Sequence, residues 1–89
     1  MYQVSILGLG LIGSRIARHM TGLGDKVTVW NRTPREDFPE AVPTPADAAR
    51  ASKIIQLYLK DRNACLEVFE QMRGALTPEH VILNHSTID

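Results

Sequence analysis

Glycines at positions 8, 10 and 13 set a G-x-G-x-x-G spacing, Gly8-Leu9-Gly10-Leu11-Ile12-Gly13, between an apolar run ending at Leu7 and a stretch with helical periodicity. This spacing serves the handling of phosphate. The first glycine allows the tight turn out of a strand, the second lets the backbone approach a pyrophosphate with no Cβ in the way, and the third lets the helix pack closely on its sheet. Unpaired N–H groups and the positive dipole end of that helix then face the phosphates. The apolar strand before the triplet, its place near the N-terminus and a second strand after it make this a dinucleotide site. Contacts to the cofactor are expected from Gly8, Leu9, Gly10, Leu11, Ile12 and Gly13.

The second strand, Lys26 to Trp30, runs into Asn31-Arg32-Thr33-Pro34. Sites that prefer NAD place an Asp or Glu about 20 residues beyond the fingerprint to take the ribose hydroxyl. Asn31 stands there instead. A carboxylate would repel a 2′-phosphate by about 1 kcal/mol per charge pair in water and about 4 at intermediate dielectric. Asn31 is neutral, Arg32 offers a planar fork for phosphate oxygens, Thr33 offers a hydroxyl, and Arg35 is expected to add a second positive charge. The expected cofactor is therefore NADP, with NAD disfavoured.

Ten basic and ten acidic side chains in 89 residues give no net charge, and so no basic field of the kind nucleic-acid or acidic-membrane binding requires. A small-molecule partner is expected. A single cysteine excludes an internal disulfide and fits a reducing cytoplasm, and no apolar run reaches the roughly 18 residues of a membrane span. The start, Met1-Tyr2-Gln3, lacks the basic segment of a signal peptide.

These residues need a scaffold, and the pattern supplies one. A first strand is expected over Tyr2 to Leu7, then a helix over Leu11 to Thr21 with Ile12, Ile16 and Met20 on one stripe before Gly22 and Gly24 close it. The second strand is followed by a proline-punctuated segment, Pro34 to Pro45, whose charges from Pro34 to Glu40 read as a solvated loop and which holds at most a helical turn and a very short third strand near Ala41-Val42. Thr44-Pro45-Ala46-Asp47 has the form of a capping box, opening a helix that ends near Ala51. A fourth strand covers Lys53 to Leu59. Asp61 is the expected N-cap of a helix to about Arg73, with Cys65, Val68, Phe69 and Met72 facing inward and Gly74 as the stop. The fifth strand is Val81 to Asn84. Alternation of this kind indicates an α/β fold, a Rossmann-type doubly wound parallel sheet of order 3-2-1-4-5 in one continuous domain, residues 1–89.

Four segments together carry a family resemblance: the fingerprint Gly8 to Gly13, the strand end Val29-Trp30-Asn31-Arg32-Thr33-Pro34, the segment Tyr58-Leu59-Lys60-Asp61, and Asn84-His85-Ser86-Thr87-Ile88-Asp89. In this order they resemble the β-hydroxyacid dehydrogenases, a group that includes 3-hydroxyisobutyrate dehydrogenase, the semialdehyde reductases and, more distantly, 6-phosphogluconate dehydrogenase. The resemblance implies hydride transfer between NADP(H) and a small β-hydroxyacid or semialdehyde. It implies cofactor contacts from Leu59, Lys60 and Thr87, with Ser86 where the substrate carboxylate is held. Imine reductases share the Asn-Arg-Thr ending and stand as an alternative, as does a non-enzymatic NADP-binding or sensing module.

Departures from the family pattern are Ile12 for Met, Lys60 for Pro, and Asn84-His85 where the motif begins with Asp and a variable residue. Family members continue through a sixth strand, a connecting helix and an all-helical domain that brings the catalytic lysine. On that comparison this chain is the N-terminal cofactor half, truncated after the fifth strand, and no catalytic residue is assigned within it. An open edge strand there leads to the expectation of a homo-oligomer. Among the remaining candidates, Cys65 is expected in the core, His19 and His80 at the surface, His85 in a structural or peripheral place, and Trp30 half-buried. Three dispersed histidines offer no metal-ligand spacing.

Overall fold

A computed structural model of the chain describes residues 2–86. Its elements run β1 (Gln3–Leu7), α1 (Leu11–Gly22), β2 (Lys26–Trp30), α2 (Pro45–Ala51), β3 (Ile54–Leu57), α3 (Arg62–Met72) and β4 (Val81–Asn84). The strands form one sheet of order β2-β1-β3-β4, every pairing parallel. β1 is central and buried on both faces from Val4 to Leu7, which is why it reads as a mostly apolar run, with only Ser5 polar, rather than an alternating one.

Side chains of the sheet divide between two cores. Val4, Ile6, Leu9 and Val29 pack with Ala17 of α1, while Leu7, Trp30, Ile55 and Leu57 pack with Ala48 and Ala49 of α2 and Val68 and Met72 of α3. Helices therefore cover both faces. Burying each of the larger side chains contributes about 1.5–3 kcal/mol. Ser5, fully buried in β1, donates its hydroxyl to the Ala48 carbonyl at 2.6 Å and so bolts α2 to the central strand.

Both expected caps are present. Thr44 Oγ1 accepts from the Asp47 N–H at 3.1 Å and donates to its carboxylate at 2.9 Å, with Pro45 in the first turn of α2. Asp61 Oδ1 accepts from the Ala64 N–H at 2.8 Å to open α3.

Several expectations are corrected. No strand forms at Ala41-Val42; a single backbone hydrogen bond, Val42 N–H to the Val29 carbonyl at 2.9 Å, marks its place beside β2. The sheet therefore has four strands among the described residues, with the expected fourth and fifth appearing as β3 and β4. Five prolines, three of them between positions 34 and 43, remove donors that a ladder needs. The loop nevertheless does core work, because Phe38 is buried against the α1 side of the sheet. Arg18 and Arg35 lie over its ring at 4.9 and 5.6 Å.

On α1 the buried face is Gly13, Ser14 and Ala17, not a stripe beginning at Ile12, which is 64% exposed. Small residues bring the helix close to the sheet and turn Ile12 outward. Phe69 is likewise 46% exposed, while Cys65, Val68 and Met72 form the inward face of α3. β3 ends at Leu57, two residues early, with Tyr58 N–H making a last bond to the Leu7 carbonyl of β1 at 2.8 Å. Gly74 lies inside a 3-10 turn, Arg73–Ala75, rather than ending α3. His80 is half-buried: Thr77 N–H donates to its Nδ1 at 3.0 Å, which leaves the Nε2 proton to bond the Ala49 carbonyl at 2.7 Å.

Candidate functional site

From β1 the chain passes to α1 and β2 on one side, whereas β3 adds to the other side of β1. The order of strands reverses at that point, and the loops leaving β1 and β3 diverge over the carboxyl ends of the sheet, where open α/β sheets bind ligands. Here they enclose a crevice of about 620 Å³. Its wall contains Gly8, Leu9, Gly10, Leu11, Ile12 and Gly13 from the fingerprint, Asn31, Arg32 and Thr33 after β2, Leu59 and Lys60 after β3, and Ser86 after β4. Thr87 lies outside the described residues.

The three glycines differ in what excludes a side chain. Gly8 has φ of +101°, and a Cβ there would sit 2.1 Å from the Tyr58 carbonyl oxygen. At Gly13 it would sit 2.0 Å from the carbonyl oxygen of Gly8. Both are required by the protein's own backbone. A Cβ at Gly10 meets no atom within 4 Å, and φ there is an ordinary −69°. Nothing in the described chain calls for glycine at that position, and the space beside it opens into the crevice.

Gly10 is the N-cap of α1, makes no side-chain cap, and no acidic residue occupies the first turn. The first intrahelical bond is Ser14 N–H to the Gly10 carbonyl at 3.0 Å. The N–H groups of the preceding turn therefore open toward the crevice, an arrangement suited to an anion. Leu9 differs from its neighbours: its side chain is buried in the core, and its N–H and carbonyl are taken by Asn31 and Arg35. It contributes wall but no free donor.

Asn31 acts as a two-way clip. Its Oδ1 accepts from Leu9 N–H at 2.8 Å, and its Nδ2 donates to the Thr33 carbonyl at 2.7 Å, tying the fingerprint loop to the turn that carries Arg32. A carboxylate could accept the first bond but has no proton for the second. Arg32 projects at the crevice edge and pairs with Glu67 of α3.

Arg35 does not reach the crevice, contrary to expectation. Its guanidinium is committed to the Asp37 carboxylate, at 2.7 Å from Nη2, to the Leu9 carbonyl and to the Phe38 ring. Desolvation works against the Asp37 carboxylate. Hydrogen bonds from Arg35 and the backbone, with the charges of Arg35 and Arg18, outweigh it and hold the pKa below the usual value.

On the opposite wall Ser86 Oγ accepts from Leu59 N–H at 2.7 Å and fastens the two loops together. His85 stacks on Tyr58 with ring centres 5.1 Å apart and an interplanar angle of 14°. Burial pushes the Tyr58 phenol up, and its O–H bonds Gln56 Oε1 at 2.7 Å. Sequence reasoning did not place Tyr58, Asp61, Ala64 or Val68 in the wall, and it expected Trp30 half-buried and His85 in a structural or peripheral place; all six line it, and Trp30 is buried in the core as well. The spacing of Ala64 and Val68 by four residues behind an N-capping Asp61 is the signal that brings both to one helix face above the strand ends. Among the described residues no group of three or more His, Cys, Asp or Glu can hold a metal ion, and no helix is long and apolar enough to cross a membrane.

A parallel sheet covered on both faces, with an uncapped glycine-rich helix start over its switch point, defines a nucleotide-binding domain of the Rossmann class. The chain belongs to the family described as the NAD binding domain of 6-phosphogluconate dehydrogenase, whose profile matches residues 3–89. Its cofactor is thus of the pyridine-nucleotide kind. A curated mouse relative, cytokine-like nuclear factor N-PAC, is 31% identical over 98% of this chain and 16% of its own length. A Streptomyces aurantiacus imine reductase superposes with a TM-score of 0.85 at 32% identity, over 94% of this chain and 31% of its own. A 3-hydroxyisobutyrate dehydrogenase from Mycobacterium tuberculosis shares the fold at a TM-score of 0.90 and 18% identity, over 100% of this chain and 33% of its own. The chain thus spans about a sixth of the curated relative and a third of these solved ones.

Proposed function

We propose that residues 1–89 are the cofactor half of an NADP-dependent oxidoreductase that moves hydride between NADP(H) and a small β-hydroxyacid or semialdehyde. The observation that carries this is the open space at Gly10 beside the free N–H groups of α1. That helix start would hold the pyrophosphate, Arg32 and Thr33 the 2′-phosphate, and the Leu59-Lys60 segment the nicotinamide end. The cofactor supplies the hydride chemistry when bound. The protein orients it and excludes water. Ser86 keeps its own O–H proton while accepting from Leu59, and so can donate to a substrate carboxylate. Thr87 would join it at the nicotinamide ribose. Substrate comes to this half as a small molecule, in a cytoplasmic setting that suits the buried free thiol of Cys65.

NADPH is expected to bind at least tenfold tighter than NADH, a difference of about 1.4 kcal/mol, and Arg32→Ala is expected to remove most of it. Calorimetric titration of both nucleotides decides the matter, equal affinities counting against the NADP assignment. A second reading, a non-enzymatic NADP-binding module, draws support from the mouse relative, which is named a nuclear factor. The imine reductase similarity supports a different substrate on the same cofactor.

Self-association belongs to the same proposal. No described strand pairs with the outer edge of β4, and Val81 and Leu83 on it are 52% and 42% exposed. Unpaired edges invite strand addition. Light scattering of the 89-residue chain is expected to show dimers or larger species; a monomer at every concentration would rule this out.

A further inference from the structure

Arg32 and Glu67 form an ion pair across the mouth of the crevice. Arg32 stands on the turn after β2, and Glu67 on the α3 turn between Ala64 and Val68, both of which line the crevice. The two side chains are 61% and 55% exposed, and Arg32 lines the crevice while Glu67 holds it from just outside the lining. The carboxylate in the crevice lining, Asp61, caps α3 through the Ala64 N–H at 2.8 Å. Glu67 is therefore the anion that holds Arg32. The next arginine along the chain, Arg35, is committed to Asp37 and the Leu9 carbonyl and offers no substitute.

We propose that Glu67 is an internal competitor for the 2′-phosphate and a determinant of cofactor preference. It occupies Arg32 in the free chain, gives it up when an NADP-type dinucleotide binds, and so lowers the margin by which the site prefers NADP(H) to NAD(H). The inference rests on reading the crevice as an NADP site. A ligand carrying a 2′-phosphate must displace the Glu67 carboxylate from Arg32 and then leaves two anionic groups near each other. A ligand without that phosphate has no need to break the pair. An exposed ion pair is weak, and the effect is correspondingly a few-fold change in affinity rather than orders of magnitude.

The test is a titration of NADPH and NADH against the purified chain and its Glu67→Gln, Arg32→Ala and doubly substituted forms. Glu67→Gln keeps the shape of the side chain and removes its charge. It is expected to tighten NADPH about twofold to fivefold, within the range an exposed ion pair commands, and to leave NADH unchanged. The gain is expected to vanish in the Arg32→Ala background, as coupling between the two residues requires, and to shrink as added salt shortens the screening length. NADPH binding by the wild-type chain that Glu67→Gln leaves unchanged or weakens overturns this inference alone. Equal tightening of NADH does so too, since it would show Glu67 merely crowding the crevice. A wild-type chain that binds neither nucleotide overturns the proposed function, and this inference with it.

Discussion

Gly10→Val is expected to leave the chain folded and to abolish dinucleotide binding. The backbone at Gly10 has φ of −69°, which any L residue adopts, and a Cβ there meets nothing within 4 Å. The cost to the fold is that of a poorer N-cap, about 1 kcal/mol. A branched side chain on the same atom projects into the space where a pyrophosphate would approach the first turn of α1. Circular dichroism is expected to show a near-wild-type melt and calorimetry to show no saturable heat with NADPH. Normal NADPH binding by this variant would reduce the glycine loop to a simple turn.

Gly8→Ala is expected to do the opposite and strike the fold. Its φ of +101° already disfavours a Cβ, and that Cβ would lie 2.1 Å from the Tyr58 carbonyl oxygen. Left-handed backbone alone costs roughly 1–2 kcal/mol. The clash is with main chain, which cannot rotate away, so β1 and β3 must separate at their carboxyl ends. A domain of this kind has only about 5–15 kcal/mol in total. The urea midpoint is expected to fall sharply, whereas Gly74→Ala, with open space around it, is expected to leave it nearly unchanged. Equal midpoints for the two variants would contradict the close approach of these loops.

The parallel sheet and the crevice were legible because each depends on local signals. The run Val4 to Leu7, apolar but for Ser5, marks a strand buried on both faces, Thr44 and Asp61 announce their helices, and the fingerprint fixes where β1 meets α1. What escaped the sequence depends on approach across the molecule. Ile12 fits an apolar stripe until Gly13 and Ala17 draw α1 down on the sheet and rotate it outward. Phe38 sits among charges and prolines and looks solvated, yet the missing third strand leaves a gap that its ring fills between Arg18 and Arg35. Arg35 and Arg32 are alike in sequence. Only the fold shows that one is spent on the Leu9 carbonyl and Asp37 while the other stands at the crevice with Glu67.

Asn31 shows how a residue can serve structure and selectivity together. Absence of a carboxylate at this position was readable as tolerance for a 2′-phosphate. Its two hydrogen bonds, to Leu9 N–H and the Thr33 carbonyl, were not, because they join segments that are 22 residues apart at one end and adjacent at the other. The same amide that avoids repelling a phosphate also fixes the turn from which Arg32 projects.

The central claim is that a dinucleotide lies in the crevice with its pyrophosphate on the start of α1. Mapping amide resonances of the isotopically labelled chain during an NADPH titration tests it most directly. The account predicts saturable shifts concentrated at Gly10 to Gly13, at Asn31 to Thr33 and at Leu59 and Lys60, with β4 and the outer face of α3 unmoved. Shifts confined to the β4 edge, or none at saturating nucleotide, would contradict it.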